Sequence, residues 1–424
     1  LYAMGRVAEK SYREAALQLE FDIKQDNQRS VKLLTDDTRR AAYRTLGVQR
    51  MNHNTDDGFN VEAVDWFRNS LDNDFSFEEA EYYAMAAIRF SRWDDVVEAI
   101  SRMDAETQKA NQWQYWLARA YEQSNDGSKR NTAKKMYQNL AKSNEYYGLM
   151  AKEKVGQRFD ASRLGGSNLP NVSSADRARV MQNPHFARAF ALYNADASRA
   201  YANREWNWAV KKARDNRDEK LIIAAARQAY DMGWLDRAIY AIDNTDNVNS
   251  LAISHPMPHQ DAVVRYSQSA GIDPAWAYGI MRQESRFVSS ARPNVGASGL
   301  MQVMPNTAKY IARNLGETYS ASRANSGDTN IRYGTFYLSM IQSQLSGNTV
   351  LATAGYNAGP NRARRWQPDF QNIAADQYTE SIPLLETRDY VKHVMSNATH
   401  YGVLLGQGPQ SITQRMQNIP FRSQ

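Results

Sequence analysis

The stretch IMRQES, residues 280 to 285, sets a carboxylate where the face of a helix would otherwise carry hydrocarbon. If a helix begins with Asp273 as its N-cap and Pro274 as its first residue, where no N–H is needed, then Ala277, Ile280, Met281 and Glu284 share one stripe at about 100° per residue. Glu284 is then expected to be at least partly buried. Burial without a cationic partner penalises the ionised form of a carboxyl group, so such a group can hold a proton near neutral pH and act as a general acid. Enzymes that seat a glutamate in an apolar pocket obtain a general acid by the same logic. Two ordinary alternatives stand beside this reading: the helix ends at Glu284, or Arg282 or Arg286 turns round to pair with it.

Three other stretches carry usable side chains. In VGASGLMQVMPNTA (295 to 308), glycines at 296 and 299 permit a turn and close backbone approach, and Gln302 can donate and accept, as needed to orient a carboxyl group or a sugar amide. In ATAGYNAGPNRARRW (352 to 366), Tyr356 and Asn357 lie between two glycines, although a core tyrosine and a turn asparagine would look the same. Near the end of the chain, Glu380, Glu386 and Asp389 are candidates for a second carboxylate acting beside Glu284, at distances the sequence does not give. Singly, none of these stretches identifies a chemistry.

The elements that must position them are helices. From Leu1 to about Ile242 apolar residues recur at three- and four-residue spacing between short Asn, Asp, Gly or Ser breaks, and strand signals are nearly absent. RFSRWDDVVEAI (89 to 100) resembles AYDMGWLDRAIYAI (229 to 242): each has a Trp, an Asp two positions later and an apolar face, as expected of the second helix of a hairpin. Stacked hairpins imply an α-solenoid. The pattern loosens around 159 to 185 and again at DNTDNVNSLAISHPMPHQ, after which Gly and Pro become more frequent. The expected fold is therefore all-α, with a superhelical region at 1–185, a helical linker domain at 186–254 and a separate domain at 255–424.

Composition narrows the chemistry. The chain has no cysteine, and its six histidines lack HExxH-like spacing, so no metal and no cofactor is expected. A net charge of +6 and a pI near 9.2 favour an anionic partner, yet the basic residues are interspersed with acids, as on an ordinary solvated surface. No basic helix face or aromatic module matches a nucleic-acid reader, and no nucleic-acid partner is expected. No apolar run approaches membrane-spanning length, and LYAMGRVAEK lacks the order of a signal peptide. The expectation is a mature or truncated form whose targeting segment, and earlier repeats, have been removed. Most of the 24 Tyr and 9 Trp are expected in the core of the solenoid.

Taken in order and spacing, RQESRF, GASGLMQVMP, GYNAGP and ESIPLLETRDYVKHV (380 to 394) resemble the catalytic domain of the soluble lytic murein transglycosylases, relatives of goose-type lysozyme. The resemblance covers roughly 255 to 405; the preceding helices resemble that family's U-shaped superhelical and linker domains in architecture more than in motif. It implies a lysozyme-like, α-rich catalytic domain in which Glu284 is the single acid and base. Gln302 and Glu386 become saccharide contacts, Met304 a wall of the subsite, and Tyr356 a residue that helps place the scissile bond, with Ser285, Asn357 and Tyr390 in support. The implied reaction cleaves the β-1,4 bond between N-acetylmuramic acid and N-acetylglucosamine in peptidoglycan, closing a 1,6-anhydro ring without water. A lysozyme-like hydrolase and a non-catalytic glycan-binding scaffold are the alternatives. The implied setting is a periplasmic monomer acting on peptidoglycan strands, with room for other cell-wall enzymes as partners and for outer-membrane attachment through a removed N-terminal anchor. Two departures stand out. Pro293 occupies a position where many members have Ser, so a hydroxyl contact would come from Ser289, Ser290 or Ser298, or be absent. Gly355 replaces the usual Ala before the tyrosine, a change expected to be harmless.

Overall fold

The computed structural model describes residues 12–53, 58–71, 75–195, 199–245, 250–288 and 296–422, and its regular structure is helical. Among the described residues there is no sheet, only isolated bridges joining Phe159 to Gln410, Ser298 to Val303 and Ile373 to Ile419. The all-α expectation is met. No helix among these residues is long and apolar enough to cross a membrane. The chain forms two compact units. The first takes the chain up to Arg158, Ile341–Lys392 and the stretch from Ser411; the second takes Phe159–Met340 and His393–Gln410.

In both units successive helices pack chiefly on their sequence neighbours, and the same turn joins them. In the first unit a capping box opens the helix Phe77–Arg89: Ser76 accepts from the Glu79 N–H, and Glu79 accepts from the Ser76 N–H. Ser91 then adopts a left-handed φ of 56°, the Arg92 N–H reaches Ala87 O at 2.9 Å, and the helix Trp93–Ser101 follows. In the second unit the helix Glu219–Asp231 ends the same way, with Gly233 at φ 76° and the Trp234 N–H on Ala229 O at 2.8 Å, before the helix Leu235–Ile242. A left-handed residue followed by this long backward bond satisfies the orphan carbonyls of a helix end. The similarity of 89–100 to 229–242 is thus a repeated hairpin turn. Its shared aspartates are both buried: Asp95 binds Arg68 at 2.7 and 2.5 Å and accepts from Tyr83, and Asp236 meets Arg237 at 3.0 Å.

Aromatic packing fills the hairpins of the second unit. Trp206 and Trp234 are fully buried with centroids 5.2 Å apart, and Tyr193 stacks on Trp234 at 4.3 Å.

The first unit is closed differently, by polar groups. Its short helix Ala375–Glu380 packs on Phe77–Arg89. Fully buried Glu380 accepts from Gln112 (2.8 Å), Trp116 (2.7 Å), Tyr147 (2.6 Å) and Lys392 (3.0 Å). Asp376 accepts from Tyr115 at 2.8 Å and faces Arg119 at 3.2 Å, while Gln377 donates to Ile88 O at 2.7 Å. Burial alone pushes the Glu380 carboxyl up, but Lys392 and Arg388, with the hydrogen bonds from Tyr147 and Trp116, hold it below the usual carboxylate value. Glu380, one candidate for a second catalytic carboxylate, is therefore a structural anion.

A buried charge stripped of its partner is costly. Lys392→Met should destabilise the protein by about 3–5 kcal/mol in chemical denaturation, and adding Glu380→Gln should restore part of that loss. Two losses that simply add would show that the pair is not coupled.

Candidate active site

The helix Pro274–Ser285 in the second unit starts as its sequence requires. The Asp273 side chain accepts from the Ala275 N–H at 2.9 Å, and Pro274 takes the first helical position. Ala277, Ile280 and Met281 are fully buried, and Glu284 lies half-buried at the end of the same stripe. The expected partial burial is met, and the helix runs to Ser285, one residue past the end that the alternative reading gives it. Arg282 engages other groups, with Nε on Ser254 O at 2.9 Å and its guanidinium 3.2 Å from Asp243. Arg286 is exposed.

Beyond Ser285 the chain reverses through two left-handed residues, Arg286 (φ 47°) and Phe287 (φ 66°). Such backbone is uncommon outside glycine and more so for a bulky side chain. The Ser285 hydroxyl holds the reversal. It accepts from the Phe287 N–H at 3.0 Å and donates to Leu300 O at 2.8 Å, a shorter contact than its alternative acceptor, Met281 O at 3.2 Å. Ser285 thereby bolts the Glu284 end of the helix to the loop that carries Gln302.

That loop is shaped by Gly299 and Asn330. Gly299 has φ 80°, and a Cβ on it would lie 2.4 Å from the Asn330 amide nitrogen. Buried Asn330 accepts from the Met301 N–H at 2.8 Å and donates to Ser298 O and Ala324 O, both at 3.0 Å. Gln302 is itself left-handed at φ 49°, with its amide donating to Gly299 O at 2.7 Å. Met304, 43% exposed, precedes the helix Pro305–Asn314 as its N-cap. Of the hydroxyls considered in place of the one lost at Pro293, Ser298 donates to Asn325. Ser289, Ser290 and Pro293 lie outside the described residues.

The first unit carries the remaining candidates. Tyr356 and Asn357 occupy the last turn of the helix Thr349–Ala358, both half-buried. Glu386 is exposed in the first turn of the helix Leu385–Leu404, and Tyr390 is buried one turn later. Thr387 donates to Asn357 at 2.6 Å, which fastens the Tyr356 helix end to the Glu386 helix start. At Gly355 a Cβ would come within 3.1 Å of Ile341 and Leu345, so glycine at this position relieves tight packing.

Sequence reasoning does not single out Asn330. Its one signal is compositional: an asparagine inside an apolar, helix-periodic run competes with the helix unless its amide has backbone partners elsewhere. A second buried polar group braces the Glu284 helix. His255 lies 2.8 Å from the Ser254 hydroxyl and 3.1 Å from both Asn397 and His400, and Arg282 binds the Ser254 carbonyl. Burial, followed by the charge of Arg282 and by His400, holds His255 well below its ordinary 6.5.

Comparisons with known proteins give the chain its relatives. Residues 261–378 match the model of the transglycosylase SLT domain, and residues 179–251 that of the soluble lytic murein transglycosylase L domain. The soluble lytic murein transglycosylase of Salmonella typhimurium is 31% identical over 73% of this chain and 46% of its own length. The X-ray structure of an inactive mutant of the lytic transglycosylase Slt from Pseudomonas aeruginosa superposes with a TM-score of 0.78 at 31% identity, covering 97% of this chain and 64% of that one. The 70-kDa soluble lytic transglycosylase from Escherichia coli gives 0.71 at 26% identity, covering 97% and 65%. The chain spans less than half the length of the Salmonella relative.

Two outcomes are expected of these contacts. Asn330→Ala strands the Met301 N–H and two carbonyls and should cost about 2–4 kcal/mol in unfolding free energy. His255 stays neutral in the folded protein while the unfolded chain takes up a proton below about pH 6.5, so its contribution should fall as pH drops, by up to about 2 kcal/mol between pH 7 and 5. Denaturation curves of His255→Gln across that range should show a flatter pH dependence than the parent; an equal slope would remove His255 as the cause.

Proposed function

Because the chain belongs to the soluble lytic murein transglycosylase family, we propose that it cleaves the β-1,4 bond between N-acetylmuramic acid and N-acetylglucosamine in peptidoglycan, with Glu284 as acid and then base. The observation that carries this reading is the place of Glu284: half-buried on an apolar stripe, in the last turn of its helix, beside a serine that locks the Gln302 loop. Helix carbonyls at a C-terminal end disfavour added negative charge, which suits a group that must hold its proton until the bond breaks.

In the proposed sequence Glu284 gives its proton to the glycosidic oxygen as the bond from the anomeric carbon breaks. The substrate's own acetamido oxygen stabilises the cationic anomeric carbon, a known exception to the two-carboxylate rule. Ionised Glu284 then takes the proton of the C6 hydroxyl, whose oxygen bonds the anomeric carbon and closes the 1,6-anhydro ring, leaving Glu284 protonated again. A hydroxyl already on the sugar has a large effective concentration, so no water need be captured.

Gln302 and Met304 are assigned to the saccharide beside Glu284, and Ser285 to support. Tyr356 is assigned to placing the scissile bond, and Glu386 to a sugar contact, with Asn357 and Tyr390 behind them. The polar engagement of Glu380 supports the single-carboxylate reading by removing one rival. The division into superhelical, linker and catalytic domains belongs to the same proposal. So does a periplasmic setting with peptidoglycan strands as the partner; outer-membrane attachment and association with other cell-wall enzymes are its further extensions.

Digestion of purified sacculi should release muropeptides one water lighter than lysozyme products, and Glu284→Gln should lower the rate by about 10²–10⁴-fold or more. Mass spectrometry showing hydrated reducing ends would make the protein a hydrolase, and equal release by the variant would remove Glu284 from catalysis.

A further inference from the structure

A pocket of about 550 Å³ opens in the second unit, and none of the residues given a role above lines it. One wall is a single face of the helix Arg199–Asp215, where Arg204, Trp208 and Lys211 follow at four- and three-residue spacing and Arg214 lies one turn on. Tyr240 and Asn244 close the other side. Trp208 is 46% exposed, the largest side chain among the exposed hydrophobics of its unit, whereas Trp206 on the same helix is fully buried.

The charges in this pocket are unevenly engaged. Its carboxylate, Glu205, is already held by His185 at 2.7 Å and by Arg188 at 3.1 Å, which keep it below the usual carboxylate value. Lys211 faces Asp215 at 2.7 Å with both side chains about half exposed, a pairing worth little in water. Arg214 donates to the amide oxygen of Asn244 at 2.9 Å. Arg204 is exposed at the rim. The Lys212 ammonium lies 4.9 Å from the centre of the Trp208 ring and the His185 ring 6.3 Å from it, edge to face, yet nearly half of Trp208 stays exposed. The lining therefore offers cations whose present partners are weak or neutral, around a partly open aromatic surface. The volume suits a ligand of disaccharide size.

We propose that this pocket is a second saccharide site that takes a carboxylate-bearing segment of the glycan polymer, with Trp208 against a sugar ring and Arg204 and Lys211 on the acid groups. The identity of the polymer rests on the function proposed above; the pocket chemistry does not. A route to the Glu284 helix is built in. Asp243, next to pocket-lining Asn244, is ion-paired with Arg282, two residues before Glu284.

Calorimetric titration of the full chain carrying Glu284→Gln with N-acetylglucosaminyl–N-acetylmuramyl tetrapeptide tests this without turnover. Two binding events are expected. The event that weakens with salt should weaken about tenfold or more in Trp208→Ala and in the double variant Arg204→Glu/Lys211→Glu, the loss typical of truncating an anchor. The substituted side chains are exposed, and unchanged melting curves would confirm intact folding. Binding that is the same in both variants overturns the proposal. So does a site that binds inorganic phosphate or a single-stranded oligonucleotide as tightly as the muropeptide, or one that ignores loss of Trp208. If sacculi yield no anhydro products yet a muropeptide still binds in a Trp208-dependent way, the proposed reaction fails and the pocket stands.

Discussion

The candidate chemistry depends on one buried amide. Asn330 makes three backbone hydrogen bonds in a space that exists because Gly299 has no Cβ. Those bonds fix a loop that would otherwise have Gly296 and Gly299 as free joints. With the loop fixed, Leu300 O stands where the Ser285 hydroxyl can reach it, and the Glu284 helix end and Gln302 are held by one connected set of contacts. Each link is worth only about 1 kcal/mol net, yet leaving any buried member unpaired costs more than making the bond gains. The geometry is therefore maintained by the penalty for breaking it.

The two units reach the same end by different physics. Around Trp206 and Trp234 the second unit is filled by aromatic area, and geometry is set by packing that tolerates no gaps. The first unit instead ties its late segment, residues 375–392, to helices more than two hundred residues earlier through Glu380, Asp376 and Gln377. Apolar contacts would join these segments in many registers. A carboxylate that must meet an indole N–H, a phenol and an ammonium at once accepts one register only. Specificity of docking is what such a cluster supplies, and Thr387 in the same late segment meets Asn357.

Much of this is legible in the sequence. The Asp273–Pro274 start, the stripe ending in Glu284 and the hairpin repeat all follow from local rules of capping and periodicity, and the structure places them accordingly. Asn330, Glu380 and Arg282 are not legible in the same way, because their roles are set by partners far along the chain. Glu380 shows the difference plainly. By type and position it reads as a catalytic candidate; only its burial against Trp116 and Tyr147 shows an anion already satisfied. Gly355 teaches the converse, since a substitution that looks neutral by size is fitted to Ile341 and Leu345.

Backbone strain completes the picture. Arg286, Phe287 and Gln302 all hold left-handed φ without being glycine, and each such residue costs on the order of 1–3 kcal/mol. Left-handed non-glycine residues also occur in turns elsewhere, such as Ser91, Arg217 and Ser346, but the first two named here directly follow Glu284 and Ser285, and the third lies two residues beyond the Ser285 acceptor. Phe287 is kept there by burial of its ring near Tyr278 and by its N–H on Ser285, and Gln302 by its bond to Gly299 O. Glycine would have relaxed all three positions. At Phe287 and Gln302 the side chains present instead make contacts that glycine could not, a ring against Tyr278 and an amide on Gly299 O, so strain is tolerated on either side of the contact that holds the end of the Glu284 helix.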